Sequence, residues 1–175
     1  ILNNLYHLAT GDENGKIIVW NPFTYEKRFD LNGHTDIVRS IITKDLQTQR
    51  PLLISCSFDK TIIVWDLTMN IILKVLKQHT STVIDILIFK SSAREYLVSC
   101  SADKSIILWD CSSDFALNTK LEGHSNQIYC LAKLAFDSVD KYLLSGSCDN
   151  TIKVWDIDQS YCFKTLTDHE DSVSM

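Results

Sequence analysis

His34, His79, His124 and His169 recur at a period of about 45 residues, and Trp20, Trp65, Trp109 and Trp155 keep the same period. Between three of these histidines and the tryptophan that follows each stand a serine and an aspartate. The chain therefore repeats a quartet: His34, Ser55, Asp59 and Trp65; then His79, Ser99, Asp103 and Trp109; then His124, Ser145, Asp149 and Trp155. Serine, histidine and aspartate are the parts of a nucleophilic triad, in which the imidazole takes the hydroxyl proton and the carboxylate orients the ring. Repetition argues against that chemistry, because one reaction needs one constellation and three equivalent copies would be redundant. The other use of such groups is structural. Buried polar groups must find partners, since a net hydrogen bond contributes roughly 0.5–1.5 kcal/mol and an orphaned group costs about 1–3 kcal/mol.

Other templates for chemistry fail. Gly11 and Gly15 are not followed by the Lys-Ser/Thr pair of a phosphate loop. No C-x-x-C or H-x-x-x-H spacing offers a zinc site, so no metal or cofactor is expected. Cys56 and Cys100 hold equivalent positions in successive repeats, where Gly146 and Gly11 stand in the others; they read as small fillers of a tight strand. Cys111, Cys130 and Cys162 share no such position, and His7 lies outside the histidine register as an ordinary, partly buried side chain.

The elements that must carry these residues are short strands. The segments LATGDENGKIIVWN, LISCSFDKTIIVWD, LVSCSADKSIILWD and LLSGSCDNTIKVWD align without gaps. Each holds a β-branched run after a polar turn, the mark of strands joined by tight hairpins. Apolar stretches at 52–54, 96–98 and 142–144 precede the turns. A further strand follows each histidine (DIVRSIIT, TVIDILIF, QIYCLAKL), and another follows Trp-Asp (ILKVL, CFKTL). Lettered a to d in chain order, four strands per repeat make one antiparallel blade, and no helical period of suitable length occurs. The chain has 175 residues, 45% hydrophobic and 22% charged, with net charge −5. That composition suits a soluble globular fold with a core. The acidic balance and scattered lysines and arginines give no basic patch, so neither nucleic acid nor membrane is expected as a partner. No apolar run reaches the roughly 18 residues of a membrane span, and the first residues lack the basic start and apolar stretch of a signal peptide. Six cysteines without close pairs fit a reducing compartment, so an intracellular, cytoplasmic location is expected.

Gly33-His34, Gly123-His124, the Ser-x-Asp turns and Trp65-Asp66, Trp109-Asp110 and Trp155-Asp156 resemble the WD-repeat family. The resemblance covers essentially the whole chain. It departs at Gln78 and Asp168, which replace the glycine before histidine, at Asn21, which replaces the aspartate after Trp20, and at Asn14 in the first turn. The resemblance implies an all-β fold, an arc of four-stranded blades of a β-propeller, with strand a lining the channel and strand d on the rim. It also implies that the quartets are structural networks: aspartate on histidine, histidine on serine, and serine on the indole N–H, pinning a turn, a loop and two strands of one blade.

Counting strands, residues 1–32 form a partial blade with strands b, c and d. Residues 33–77, 78–122 and 123–167 form complete blades, and 168–175 open a further strand a. Propellers close with about four to eight blades. The expected completion is further blades from a longer chain, ahead of closure by 168–175 onto the first blade, and ahead of pairing between two copies. The function expected is a non-catalytic protein-interaction scaffold. Its partner face would carry the d–a loops and b–c turns. Alternation along strand a turns the neighbours of Val38, Val83 and Ile128 outward. The candidates are therefore Ile37 and Arg39, Thr82 and Ile84, Gln127 and Tyr129, with Phe58, Ala102 and Cys148 from the turns. Arginine, phenylalanine and tyrosine are side chains that suit binding hot spots. The alternative is a substrate-recognition or regulatory region of a larger enzyme or ubiquitin-ligase assembly. By resemblance, ligase receptors carry arginine two residues past Trp-Asp, where this chain has Thr68, Ser112 and Asp158.

Overall fold

The computed structural model describes residues 8–46, 50–136 and 139–174. His7 lies outside the described residues. Strands β1 (Leu8–Gly11), β2 (Ile17–Trp20) and β3 (Lys27–Leu31) form a three-stranded sheet. A second sheet holds β4 (Val38–Leu46), β5 (Arg50–Ser57), β6 (Ile62–Asp66) and β7 (Ile71–Leu76). The third holds β8 (Val83–Lys90), β9 (Glu95–Ser101), β10 (Ser105–Asp110) and β11 (Ala116–Glu122). The fourth holds β12 (Ile128–Phe136), β13 (Val139–Ser147), β14 (Ile152–Asp156) and β15 (Tyr161–Leu166). Every sheet is an antiparallel meander in sequence order. The fold is all-β, built of blade-like sheets, and among the described residues the only helical element is a 3-10 turn at Cys111–Ser113.

Two kinds of turn close the hairpins. Between the second and third strands of a complete sheet, the N–H groups of Lys60, Lys104 and Asn150 donate to the carbonyls of Ser57, Ser101 and Ser147, and these three donors take positive φ of 71°, 71° and 65°. Gly15 supplies the same conformation in the first sheet at φ 84°. Between the last two strands, the residue after tryptophan caps the turn. Asp66 Oδ1 accepts from the N–H groups of Thr68 and Met69, Asp110 Oδ1 from Ser112 N–H, and Asn21 Oδ1 from Phe23 N–H. An asparagine side chain carries the same acceptor oxygen, so Asn21 substitutes for aspartate without loss of the turn.

A bulge falls at the tryptophan in all four sheets, and a second near the start of β4, β8 and β12. In β8, Val83 pairs with Ser101 and Asp85 with Cys100, so Ile84 is the extra residue. A bulge sets two residues against one, and alternation does not carry across it.

The chain divides into two compact units, Ile1–Gln78 and His79–Met175. In the first, Ile17, Val19 and Leu31 pack with Leu53, Ile63, Trp65 and Leu67. In the second, Val98, Cys100, Ile106 and Leu108 join Ile128, Leu131, Leu143 and Trp155. Polar ties run between the third and fourth sheets. Leu131 N–H donates to Asp85 at 3.0 Å, Lys90 N–H to Asp140 at 2.6 Å, and Lys133 Nζ to the Ile88 carbonyl at 2.9 Å. Residues 168–174 form no strand, yet Val173 N–H donates to the Ser147 carbonyl at 3.0 Å. Val38 N–H makes the matching bond to the Asp12 carbonyl at 3.1 Å. Val173 thus seats on the fourth sheet as Val38 seats on the first. The small residue beneath is required: a Cβ on Gly146 would meet Val173 Cγ1 at 2.8 Å, and one on Gly11 would meet Val38 Cβ at 2.6 Å.

Candidate functional site

Three quartets assemble with nearly one geometry. His34 Nδ1 lies 2.8 Å from Asp59 and its Nε2 2.8 Å from Ser55 Oγ, which also accepts from Trp65 Nε1 at 2.8 Å. His79 meets Asp103 and Ser99 at 2.9 Å each, with Trp109 Nε1 3.0 Å from Ser99. His124 meets Asp149 at 2.8 Å and Ser145 at 2.7 Å, with Trp155 Nε1 2.8 Å from Ser145. The donor inventory fixes the protons. Indole can only donate and carboxylate only accept, so Nδ1–H points to aspartate while the serine hydroxyl donates to Nε2. Every polar side-chain group of the three quartets then has a partner.

Several partners escaped the sequence reading. Thr61, Ser105 and Thr151 hydroxyls donate to the other aspartate oxygen at 2.6, 2.5 and 2.6 Å. The N–H groups of Thr35, Thr80 and Ser125 donate to the same oxygen that histidine uses. Ser57, Ser101 and Ser147 accept from the aspartate N–H and donate to the carbonyls of Asp36, Ser81 and Asn126. Their signal was present in SFDKT, SADKS and SCDNT, where the first and last hydroxyls recur as regularly as the aspartate. In the first sheet Thr10 stands at the serine position and accepts from Trp20 Nε1 at 2.9 Å. His169 is exposed.

The network keeps its charges in place. Burial pushes the Asp103 carboxyl up, but hydrogen bonds from His79, Ser105 and the Thr80 N–H outweigh it and hold it well below the ordinary carboxylate range. Asp149 and Asp59 are depressed in the same way, against burial, by Thr151 with His124 and by Thr61 with His34. Burial lowers the pKa of His124, more than Asp149 raises it, so its neutral form is favoured. A nucleophilic serine needs an open approach. Ser55 and Ser99 are 0% exposed and Ser145 is 1% exposed, each wedged between an imidazole and an indole. Among the described residues, no group of three or more histidine, cysteine, aspartate or glutamate side chains could hold a metal ion.

The partner candidates fall into two sets, one per unit. In the first, Phe58 N–H donates to the Ile37 carbonyl at 3.0 Å, tying turn to strand; both are half-buried, while Arg39 is exposed. In the second, Ala102 N–H reaches Thr82 at 3.0 Å and Cys148 N–H reaches Gln127 at 2.9 Å. Gln127 is exposed, and Thr82, Ala102, Tyr129 and Cys148 are half-buried, with Ala102 and Tyr129 packed on the core. Cys148 hydrogen-bonds the Tyr129 phenol, raising its pKa, and accepts from Ser172 Oγ at 3.4 Å. Ile84 is a correction. It is 7% exposed and joins the apolar cluster of its unit that includes Ile128 and Leu131. The same bulge position holds an exposed Arg39 in β4 and a half-buried Tyr129 in β12, so the branched alkyl side chain is what goes inward. Of the three strand positions flanked by these candidates, Val83 and Ile128 are buried and Val38 is half-buried.

The family model described as WD domain, G-beta repeat matches residues 25–66, 70–110 and 115–156, more than half of the chain. The chain is 38% identical over 65 residues to WD repeat-containing protein 41 of Homo sapiens, a match covering 35% of the chain and 14% of that protein. It is 41% identical over 81 residues to WD repeat and SOCS box-containing protein 1 of Danio rerio, covering 43% and 18%. It is 34% identical over 64 residues to Set1 complex component swd1 of Schizosaccharomyces pombe, covering 37% and 15%. The chain thus spans less than a fifth of the length of the curated relatives it matches.

Proposed function

The chain belongs to the WD-repeat family, and from that premise we propose that it is a non-catalytic, intracellular scaffold that binds a protein partner. The recognising groups are the turn residues after Ser57, Ser101 and Ser147 and the residues that open the first strand of each complete blade. In this reading the blades are 33–77, 78–122 and 123–167, and the buried quartets are structural. One observation carries it. In all three repeats the middle turn residue donates its N–H to the carbonyl just before the first strand, so a buried network fixes the backbone beneath side chains that differ freely. Arg39 and Phe58 are the anchors of the first unit, and Gln127, Tyr129 and Cys148 those of the second, with Ile37, Thr82 and Ala102 as flanking contacts. Arg39→Ala/Phe58→Ala should lose at least one partner recovered by the wild-type chain in an affinity pull-down, with an unchanged melting curve. Equal recovery of every partner removes this face.

A second reading is a substrate-recognition or regulatory region of a larger assembly. It is favoured by relatives whose names join WD repeats to a SOCS box or place them in a Set1 complex. The absence of arginine at Thr68, Ser112 and Asp158 weighs against a ligase receptor by the same resemblance.

A further inference from the structure

The last strand of the second sheet is the most apolar in sequence of the four. β3 reads Lys-Arg-Phe-Asp-Leu, and its Asp30 pairs with Lys16 and Lys27. On β11, Lys120 pairs with Glu122, and Leu117 is the one exposed large hydrophobic side chain. On β15, Tyr161, Phe163 and Leu166 are also exposed, with Phe163 stacked against Tyr142 at 5.3 Å between ring centroids, and they are interspersed with Cys162, Lys164 and Thr165. β7 reads Ile-Ile-Leu-Lys-Val-Leu, and Ile71, Ile72, Leu73 and Val75 stand between 37% and 44% exposed. It ends the order β4-β5-β6-β7, so its outer N–H and C=O groups face no described strand. β7 carries no proline, and Lys74 is its one charged residue, set between apolar neighbours.

Beside this edge lies a pocket of about 220 Å³ within the same unit, lined by Gly33, Ile63, Ile72, Val75 and Lys77 together with the Thr35–Asp59–Thr61 cluster, in which the Asp59 carboxylate is already engaged by His34, Thr35 and Thr61. The volume suits one large side chain. Lys77 is exposed and makes no ion pair among the described residues.

We propose that the outer edge of β7 takes up an extended segment of a partner protein as an added strand. The segment alternates apolar residues, inserts one large side chain beside Ile72 and Val75, and brings a carboxylate to Lys77. Main-chain bonds would supply affinity, while the pocket and the lysine supply specificity. A second copy of this chain fits less well. Pairing β7 with itself sets Lys74 and Lys77 of both copies along one seam with no carboxylate among their residues.

The test is fluorescence anisotropy with a labelled synthetic peptide of alternating valine and glutamate around a central phenylalanine. The peptide should bind the wild-type chain. Lys77→Glu should weaken it by about fivefold, as loss of a partly exposed ion pair does. Alternate N-methylation of the peptide should abolish binding, because it removes strand donors without touching the protein. No binding by the glutamate peptide, equal binding by its lysine analogue, or indifference to N-methylation each overturn the proposal. Self-association of the free chain that Leu73→Lys abolishes would give the edge to a second copy and likewise overturn it.

Discussion

Asp103 is the residue on which one blade turns. Its two oxygens take hydrogen bonds from His79, the Thr80 N–H, and both the hydroxyl and N–H of Ser105. Asp103→Ala orphans the imidazole N–H and the Thr80 amide, at a cost of about 2–6 kcal/mol from the usual penalty of 1–3 kcal/mol per unsatisfied group. Urea unfolding should show the loss, and a midpoint equal to wild type would count against the network. Ser99 matters differently, since it is both acceptor for indole and donor to imidazole. Much of this was legible, because histidine, serine, aspartate and tryptophan recur with one period. The outer ring of Thr61, Ser105 and Thr151 recurs with the same period but was passed over, because hydroxyl residues are common in turns and recurrence alone does not say that they bond the carboxylate.

The hairpin turn is the element where local cost shows. Lys60 and Lys104 hold φ 71°, a conformation costing a side-chain-bearing residue roughly 1–2 kcal/mol. Glycine avoids that cost but loses about 0.5–1 kcal/mol in chain entropy. Lys104→Gly should therefore stabilise the chain by up to about 1 kcal/mol in the same unfolding measurement, and a loss of stability would show that the lysine side chain contributes there. Gly15 and Asn150 announce the left-handed turn by their type, whereas Lys60 and Lys104 do not; strand order, turn position and blade type could be read without knowing φ. Strand direction past a bulge could not. Alternation predicted Ile84 outward; it lies in the core, while Arg39 and Tyr129 at the same bulge position are exposed and half-buried, so the side chain's chemistry and not the strand pattern decides.

At the scale of the whole molecule, the quartets make stability depend on acid. His124 is depressed below its ordinary 6.5, so on acidification the unfolded chain takes its proton first and the fold is penalised. Asp59, Asp103 and Asp149 are depressed below their ordinary 3.8, so their contribution is present above that value and lost as pH falls through and below it. Unfolding free energy should be level above about pH 7, decline below about 6.5 and fall more steeply below about 4. Stability rising between pH 7 and 5 would contradict the assignment of a neutral His124.

The irregularity at the head of β4, β8 and β12 has a wider meaning. A guanidinium, a branched alkyl group and a phenol occupy one and the same station at Arg39, Ile84 and Tyr129, each excused from pairing with the neighbouring strand. Lineages could rewrite that letter in one blade while the hydrogen-bonded lattice around it stays as it was, so diversity of taste and constancy of frame need not compete.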